Sequence, residues 1–404
     1  MSRLYAIGVV GLLVAQAALA VNYTYSGDGA GTYNWNTAAS WGGAGVPNSF
    51  SDTVYFSGAA AQWIKTETGA PFKFGGMTLG NGLGRTTVIK IGYYKGSPGL
   101  EAADGATITK KDSVTDQMYA TMQLDGATTF NITAGMLTTA GITGTGSLIK
   151  DGAGNLNFDA LPNAYTGQTW VKSGQLYLNG PVANQLIGAG GLKMTGGILH
   201  YISGDHILDT APIEMGGGAE WNTSFSAEMA GTFTLAGDAK IWGTAGGILR
   251  FANSSAAAWA SGSVLTLTAE SSSVPPIVYF GTNTTGLTAD QLTHLRFVDG
   301  VTGATYAAGW DPSNTGLVVP ITHTYWSADF NHDLVVNFKD YIVLEGNFGK
   351  TNATNVMGDS NGDGTVNFKD YIDLEGQFGK TSTPEPATVG LLVASIVPLL
   401  RRRK

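Results

Sequence analysis

From residue 21 to about 320 the chain never sustains one hydrophobic pattern for more than a few residues. Short runs of alternating apolar and polar side chains fill it, among them Thr53–Phe56, Thr86–Ile91, Thr128–Ile132, Gln175–Leu178, Gly247–Phe251 and Val264–Thr268, and each is closed by Gly, Asn or Asp. Alternation with period two is the signature of a strand, and the closing residues are turn formers. Strands this short and this dense fit a sandwich, a barrel or a solenoid, whereas the scarcity of long helical patterns excludes layered α/β folds. The 58 glycines and a charged fraction of only 13% belong to the same turn-rich β class. Without a single Cys, such a chain is held by its core or by metal, not by disulfides. One helix start stands out, Thr288 followed by Gln291, a capping box ahead of Leu292 and Leu295.

Between Gly144 and Leu178 the chain reads GTGSLIKDGAGNLNFDALPNAYTGQTWVKSGQLYL. Each piece is a short strand, a glycine-bearing corner and another strand, which suits rungs stacked through their backbones. Gly152, Gly154 and Leu156 follow a "KxGxGxL" approach, and Asn163, Tyr165, Thr166 and Gly167 an "N-x-YTG" corner. This piece resembles the passenger-associated repeat of autotransporters. The resemblance implies a right-handed β-helix and a structural repeat that brings no catalytic residues. The expected fold class is therefore mainly β, with a solenoid over 21–320. Trp35, Trp41, Trp310 and the helix at 288–295 are expected to cap its open strand edges.

Near the C-terminus one pattern is written twice, DFNHDLVVNFKDYIVLEGNFGK from Asp329 and DSNGDGTVNFKDYIDLEGQFGK from Asp359. Acidic and amide side chains at loop positions 1, 3, 5, 9 and 12 are the spacing with which an EF-hand-like loop wraps oxygens around calcium. The candidate ligands are Asp329, Asn331, Asp333, Asn337 and Asp340, then Asp359, Asn361, Asp363, Asn367 and Asp370. Val335 and Thr365, at position 7, add backbone carbonyls. Tyr341, Leu344 and Phe348, and their counterparts Tyr371, Leu374 and Phe378, recur at three- and four-residue spacing. That predicts two short helices with buried stripes, ending at Gly349 and Gly379. Position 6 is Leu334 in the first loop and Gly364 in the second. A left-handed non-glycine residue costs about 1–2 kcal/mol, so the first site is expected to be the weaker.

This duplicated module resembles a type I dockerin over roughly 329–380. The resemblance implies calcium as cofactor and docking onto a cohesin-like or other surface protein. Its partner-reading positions fall here on Phe338–Lys339 and Phe368–Lys369. Their identity in the two copies implies two equivalent docking orientations.

Both ends of the chain read as addresses. Arg3, the apolar run Leu4–Ala15 and Ala18-Leu19-Ala20 form a secretory signal peptide over 1–20. Pro384-Glu385-Pro386, an apolar stretch to Leu400 and the basic end Arg401–Lys404 look like a PEP-CTERM sorting signal over 384–404. The resemblance implies transient membrane insertion and then release to the cell envelope, outer surface or extracellular matrix. A formal charge of −8 argues against nucleic acid as a partner.

No catalytic residues are assigned. Glu214, Glu220 and Glu228 lie close in sequence, as paired carboxylates for glycoside hydrolysis would, and His200 and His206 are neighbours, but no nucleophile motif accompanies them. The reading is an exported envelope or matrix protein of structural or adhesive role, its calcium-stabilised docking module at 321–383. The alternatives are a dockerin-bearing polysaccharide lyase or hydrolase, or a non-catalytic protein that binds extracellular polysaccharide.

Overall fold

A computed structural model describes residues 20–380, apart from 26–31, 36–37, 42–44, 58–61, 67–70, 84–87, 93–96, 160–162, 181–185, 202–204, 224–226, 244–246, 270–274, 312–314, 322–325, 332 and 334. The expected signal peptide, save Ala20, and the expected sorting signal lie outside these residues. The chain divides into two compact units, one running to Thr305 and including Trp310–Val318, the other comprising Tyr306–Gly309 and the chain from Val319 onward.

The first unit is a β-solenoid of about eight turns. On its first face parallel strands stack from Asn22–Thr24 and Thr53–Phe56 through Thr128–Ile132 and Thr169–Val171 to Phe233–Leu235. A second face runs from Gln62–Lys65 through Asn155–Phe158 and Ala219–Thr223 to Leu265–Ala269 and Leu295–Val298. A third carries Ala227–Ala230, Ile248–Phe251 and Ile277–Phe280. Early in the chain single long strands serve two faces. Phe72–Leu79 and Met136–Gly144 each change register at a bulge, after Phe74 and after Thr139, which bends the strand around the corner.

Register explains the alternating sequence. On the second face Leu137, Leu156, Leu176, Leu199, Trp221, Ile241, Leu267 and Phe297 pair in succession and form an inward column, and all are buried. The first face supplies Val54, Met77, Ile108, Phe130, Val171, Met194, Met215 and Leu235. Parallel stacking puts like residues over like, so one repeated alternation builds a continuous core.

The repeat-like stretch shows why its motif has those residues. Lys150 occupies the inward column between Phe130 and Val171 and is fully buried. Its Nζ leaves the apolar interior to donate to the carbonyls of Asp151, Gly152 and Ser173 at 2.9, 2.7 and 3.0 Å. Burial pushes its pKa down to about 8. Asn163 ties three rungs together, its Oδ1 accepting from Ile142 N at 2.9 Å and its Nδ2 donating to Leu186 O at 3.1 Å. Tyr165 is buried and shares a hydrogen bond with Thr169 Oγ1. Gly167 sits where the corner backbones touch. A Cβ there would lie 2.2 Å from Gly146 O, just as one on Gly146 would lie 2.1 Å from Gly126 O.

The caps follow expectation in part. Trp35 and Trp41 are buried in an aromatic cluster with Tyr25, Phe56 and Phe72. Their indole N–H groups donate to Pro47 O and Trp35 O at 3.2 and 2.8 Å. Helix α1, Ala289–Thr293, has the expected capping box, and Gln291 Nε2 donates to Ser254 O and Ala257 O. The last strand, Leu317–Pro320, pairs antiparallel with Ile277–Phe280. That reversal ends the parallel ladder on the third face, where a further rung would otherwise add.

At one corner a side chain replaces the backbone ladder. Glu228 is 1% exposed, and its carboxyl oxygens accept from His206 N and Ile207 N at 3.0 Å each. Burial first, and then the hydrogen bond with Asp205, push its pKa up to about 9. The folded state thus holds a proton that the unfolded chain releases near 4.5. This contribution is complete below about pH 4.5 and declines at up to about 1.4 kcal/mol per unit until pH passes about 9. Urea unfolding of Glu228→Gln at pH 5, 7 and 9 should show a shallower fall of stability with pH than the parent. Parallel curves would refute the buried proton.

Candidate functional site

The second unit builds its own core from Ala328, Phe330, Val336, Leu344, Ala353, Val366 and Leu374, with Tyr341, Val343, Met357 and Tyr371 packed against it. Its helices are α2, Phe338–Asn347, and α3, Phe368–Gln377. Each begins at an Asn N-cap with a full capping box, Asn337 with Asp340 and Asn367 with Asp370.

The two copies are linked crosswise. Val336 N donates to Lys380 O and Gly379 N to Val336 O, at 2.9 and 2.8 Å, and in the same manner Val366 N donates to Lys350 O and Gly349 N to Val366 O, at 3.0 and 2.8 Å. The strand end of each loop is thus paired with the chain leaving the other copy's helix.

In the first loop the carboxylates of Asp329, Asp333 and Asp340 approach one another within 4.8 Å. Asp329 and Asp340 are buried and Asp333 is exposed. Asp340 Oδ1 accepts from Phe330 N and Asn331 N, at 2.8 and 3.1 Å, and its Oδ2 from Asn337 N at 2.8 Å. Asn331 Oδ1 accepts from Asp333 N at 3.0 Å. A hydrogen bond from Lys339, 2.9 Å away, holds the Asp333 carboxyl below the usual carboxylate range.

The second loop repeats this scheme. Asp370 Oδ1 accepts from Ser360 N, Ser360 Oγ and Asn361 N, and its Oδ2 from Asn367 N. Asp359 Oδ1 and Oδ2 accept from Gly362 N and Gly364 N at 2.8 Å each. Gly364 has φ of +79°, a left-handed conformation that suits glycine. Its counterpart Leu334, on which the expected inequality of the loops rests, lies outside the described residues. Asn361 Oδ1 and Asp363 Oδ1 accept from Asp363 N and Thr365 N.

Asn337 and Asn367 serve as caps. Their Oδ1 atoms accept from Lys339 N and Lys369 N, while their Nδ2 atoms donate to Val335 O and Thr365 O at 2.9 and 3.0 Å. Both position-7 carbonyls are therefore close to the position-9 side chains.

One sequence expectation fails on the helices. Leu344 and Leu374 are buried and Tyr341 and Tyr371 half-buried, but Phe348 and Phe378 are each 55% exposed. The helices stop one residue earlier, at Asn347 and Gln377, so these two rings leave the helical stripe. They join Phe338, Ile342, Phe368 and Ile372 as large exposed apolar side chains, 54–64% open. Two grooves lie among them. One of about 500 Å³ is lined by Leu344, Phe348 and Phe368, one of about 720 Å³ by Phe338, Leu374, Glu375 and Phe378, and Tyr341, Glu345 and Tyr371 line both. The two grooves draw on corresponding residues of the two copies but are unequal in size.

No carboxylate pair forms from Glu214, Glu220 and Glu228. Their strands belong to the first, second and third faces respectively. Glu214 pairs with Lys193 and Glu220 with Lys240, each at 2.8 Å. His200 stacks on Tyr177 on the second face, with ring centroids 4.6 Å apart, whereas His206 is buried at the Glu228 corner. Comparison of the chain with protein-family models, with curated proteins and with solved structures returns no match.

Proposed function

We propose that this is an exported envelope or matrix protein of structural or adhesive role, displayed by its β-solenoid and attached through a calcium-stabilised, dockerin-like module. The observation that carries the reading is the duplicated arrangement of loop oxygens beside a duplicated set of exposed Phe and Ile side chains. Asp329, Asn331, Asp333, Asp340 and Val335 O in one loop, and Asp359, Asn361, Asp363, Asp370 and Thr365 O in the other, would hold the ion. Asn337 and Asn367, engaged as caps, would act at one remove, through water.

A carboxylate-rich oxygen set fits a hard cation such as calcium, whereas zinc favours nitrogen and sulfur. Bound calcium would supply the positive charge that lets clustered carboxylates stay ionised together, fixing both helix starts. The chain's own contribution is to pre-position those oxygens through backbone N–H donors and to keep Phe338, Ile342, Phe368 and Ile372 exposed for a surface-protein partner. The terminal signals bring the module outside the cytoplasmic membrane, where calcium is plentiful.

Calorimetric titration of the full-length protein with calcium tests this reading. Two binding events are expected, the first loop's the weaker, with a rise in the melting temperature that chelator reverses. A protein indifferent to calcium would reduce the paired loops to an acidic spacer.

A further inference from the structure

The outer surface of the second face holds a trench that neither the core nor the docking module uses. Side chains two apart on a strand share a face. Register therefore places Glu220, Lys240, Thr266 and Arg296 in one outward column, beside a second column of Asn222, Trp242 and Thr268. The first column, with Asp238, lines an open groove of about 340 Å³. It crosses successive rungs along the solenoid axis.

The charges in this groove are unevenly satisfied. Lys240 is neutralised by Glu220 at 2.8 Å, and its Nζ lies 5.4 Å from the centroid of the Trp242 ring, within cation–π reach. Asp238 Oδ1 accepts from Val264 N at 2.8 Å. Arg296, by contrast, is exposed, and its side chain makes no hydrogen bond or ion pair among the described residues. Its planar fork of donors matches a carboxylate in two-point fashion. Around it Thr266, the Lys240–Glu220 pair and the second Asp238 oxygen alternate as donors and acceptors, the complement of neighbouring hydroxyls.

We propose that this groove binds a polysaccharide carrying uronic acids, with a sugar carboxylate on Arg296 and hydroxyls on Thr266, Lys240, Glu220 and Asp238. Stacked rungs repeat the polar column about every 4.8 Å, so the ligand is an extended chain lying along the axis. Nucleic acid is disfavoured, because one unpaired guanidinium among carboxylates cannot follow a phosphate backbone.

Native gel electrophoresis of the full-length protein through polygalacturonate, with dextran as the neutral polymer and chelator present throughout, tests the proposal. The expected result is retardation by polygalacturonate alone, weakened at least about tenfold by Arg296→Gln, the loss of one charge-assisted contact. Arg250→Gln removes an equal charge from the third face, where Arg250 lies 3.8 Å over the Tyr279 ring, and should leave binding unchanged. Equal losses in the two variants would mean diffuse charge attraction and overturn the site. So would equal retardation by dextran, or no retardation by polygalacturonate. Because chelator is present, failure here leaves the calcium reading untouched, and a failed calcium titration leaves this one standing.

Discussion

Gly167→Val should cost the solenoid about 3–5 kcal/mol, placing it among the most damaging single substitutions. The reason is a column of corner glycines. A Cβ on Gly146 would sit 2.1 Å from Gly126 O, one on Gly167 2.2 Å from Gly146 O, and one on Gly190 2.2 Å from Gly167 O. Each obstacle is backbone belonging to the adjacent rung, so no rotamer change relieves it. Relief requires two rungs to separate, which breaks bonds such as Thr166 N to Gly144 O at 3.0 Å and pulls Asn163 away from its partners. Thermal melting followed by tryptophan emission would register the loss. An unchanged melting temperature would mean that the rungs do not meet in this register.

The second large effect separates two duties within one loop. Asp370 is buried and accepts from three backbone N–H groups and a hydroxyl. Asp370→Ala should therefore destabilise the module by about 2–3 kcal/mol even in chelator, since it removes one half of the capping box and strands buried donors. Asp363 is exposed and bonds chiefly to Thr365 N and, at 3.5 Å, to Lys369. Asp363→Ala should leave the chelated protein nearly unchanged yet remove much of the stabilisation gained on adding calcium. Melting curves of both variants with calcium and with chelator check this. Identical behaviour of the two would contradict the division between scaffold and ligand.

The sequence disclosed most where it repeats itself. Two copies of one loop expose the caps and the helix starts, because each signal is local to a dozen residues. The strands of the solenoid were visible for the same reason, Thr53–Phe56, Thr128–Ile132 and Gln175–Leu178 to the residue. What sits above what was not. Glu214, Glu220 and Glu228 look like neighbours along the chain, but a turn of solenoid distributes them over three faces. Nothing local to Lys150 signals burial, and stacking places it in the core with three carbonyls to satisfy. Phe348 and Phe378 obey helical spacing but fall one residue beyond the helix, a difference decided by the cap. The groove around Arg296 depends wholly on inter-rung register, which no local pattern specifies.

The crosswise pairing bears on how the duplication folds. Val336 bonds the chain leaving the second helix, and Val366 the chain leaving the first, so neither loop finds its backbone partner within its own copy. Half of the duplication would leave a strand end unpaired, which makes the two copies one cooperative unit and not two beads on a string.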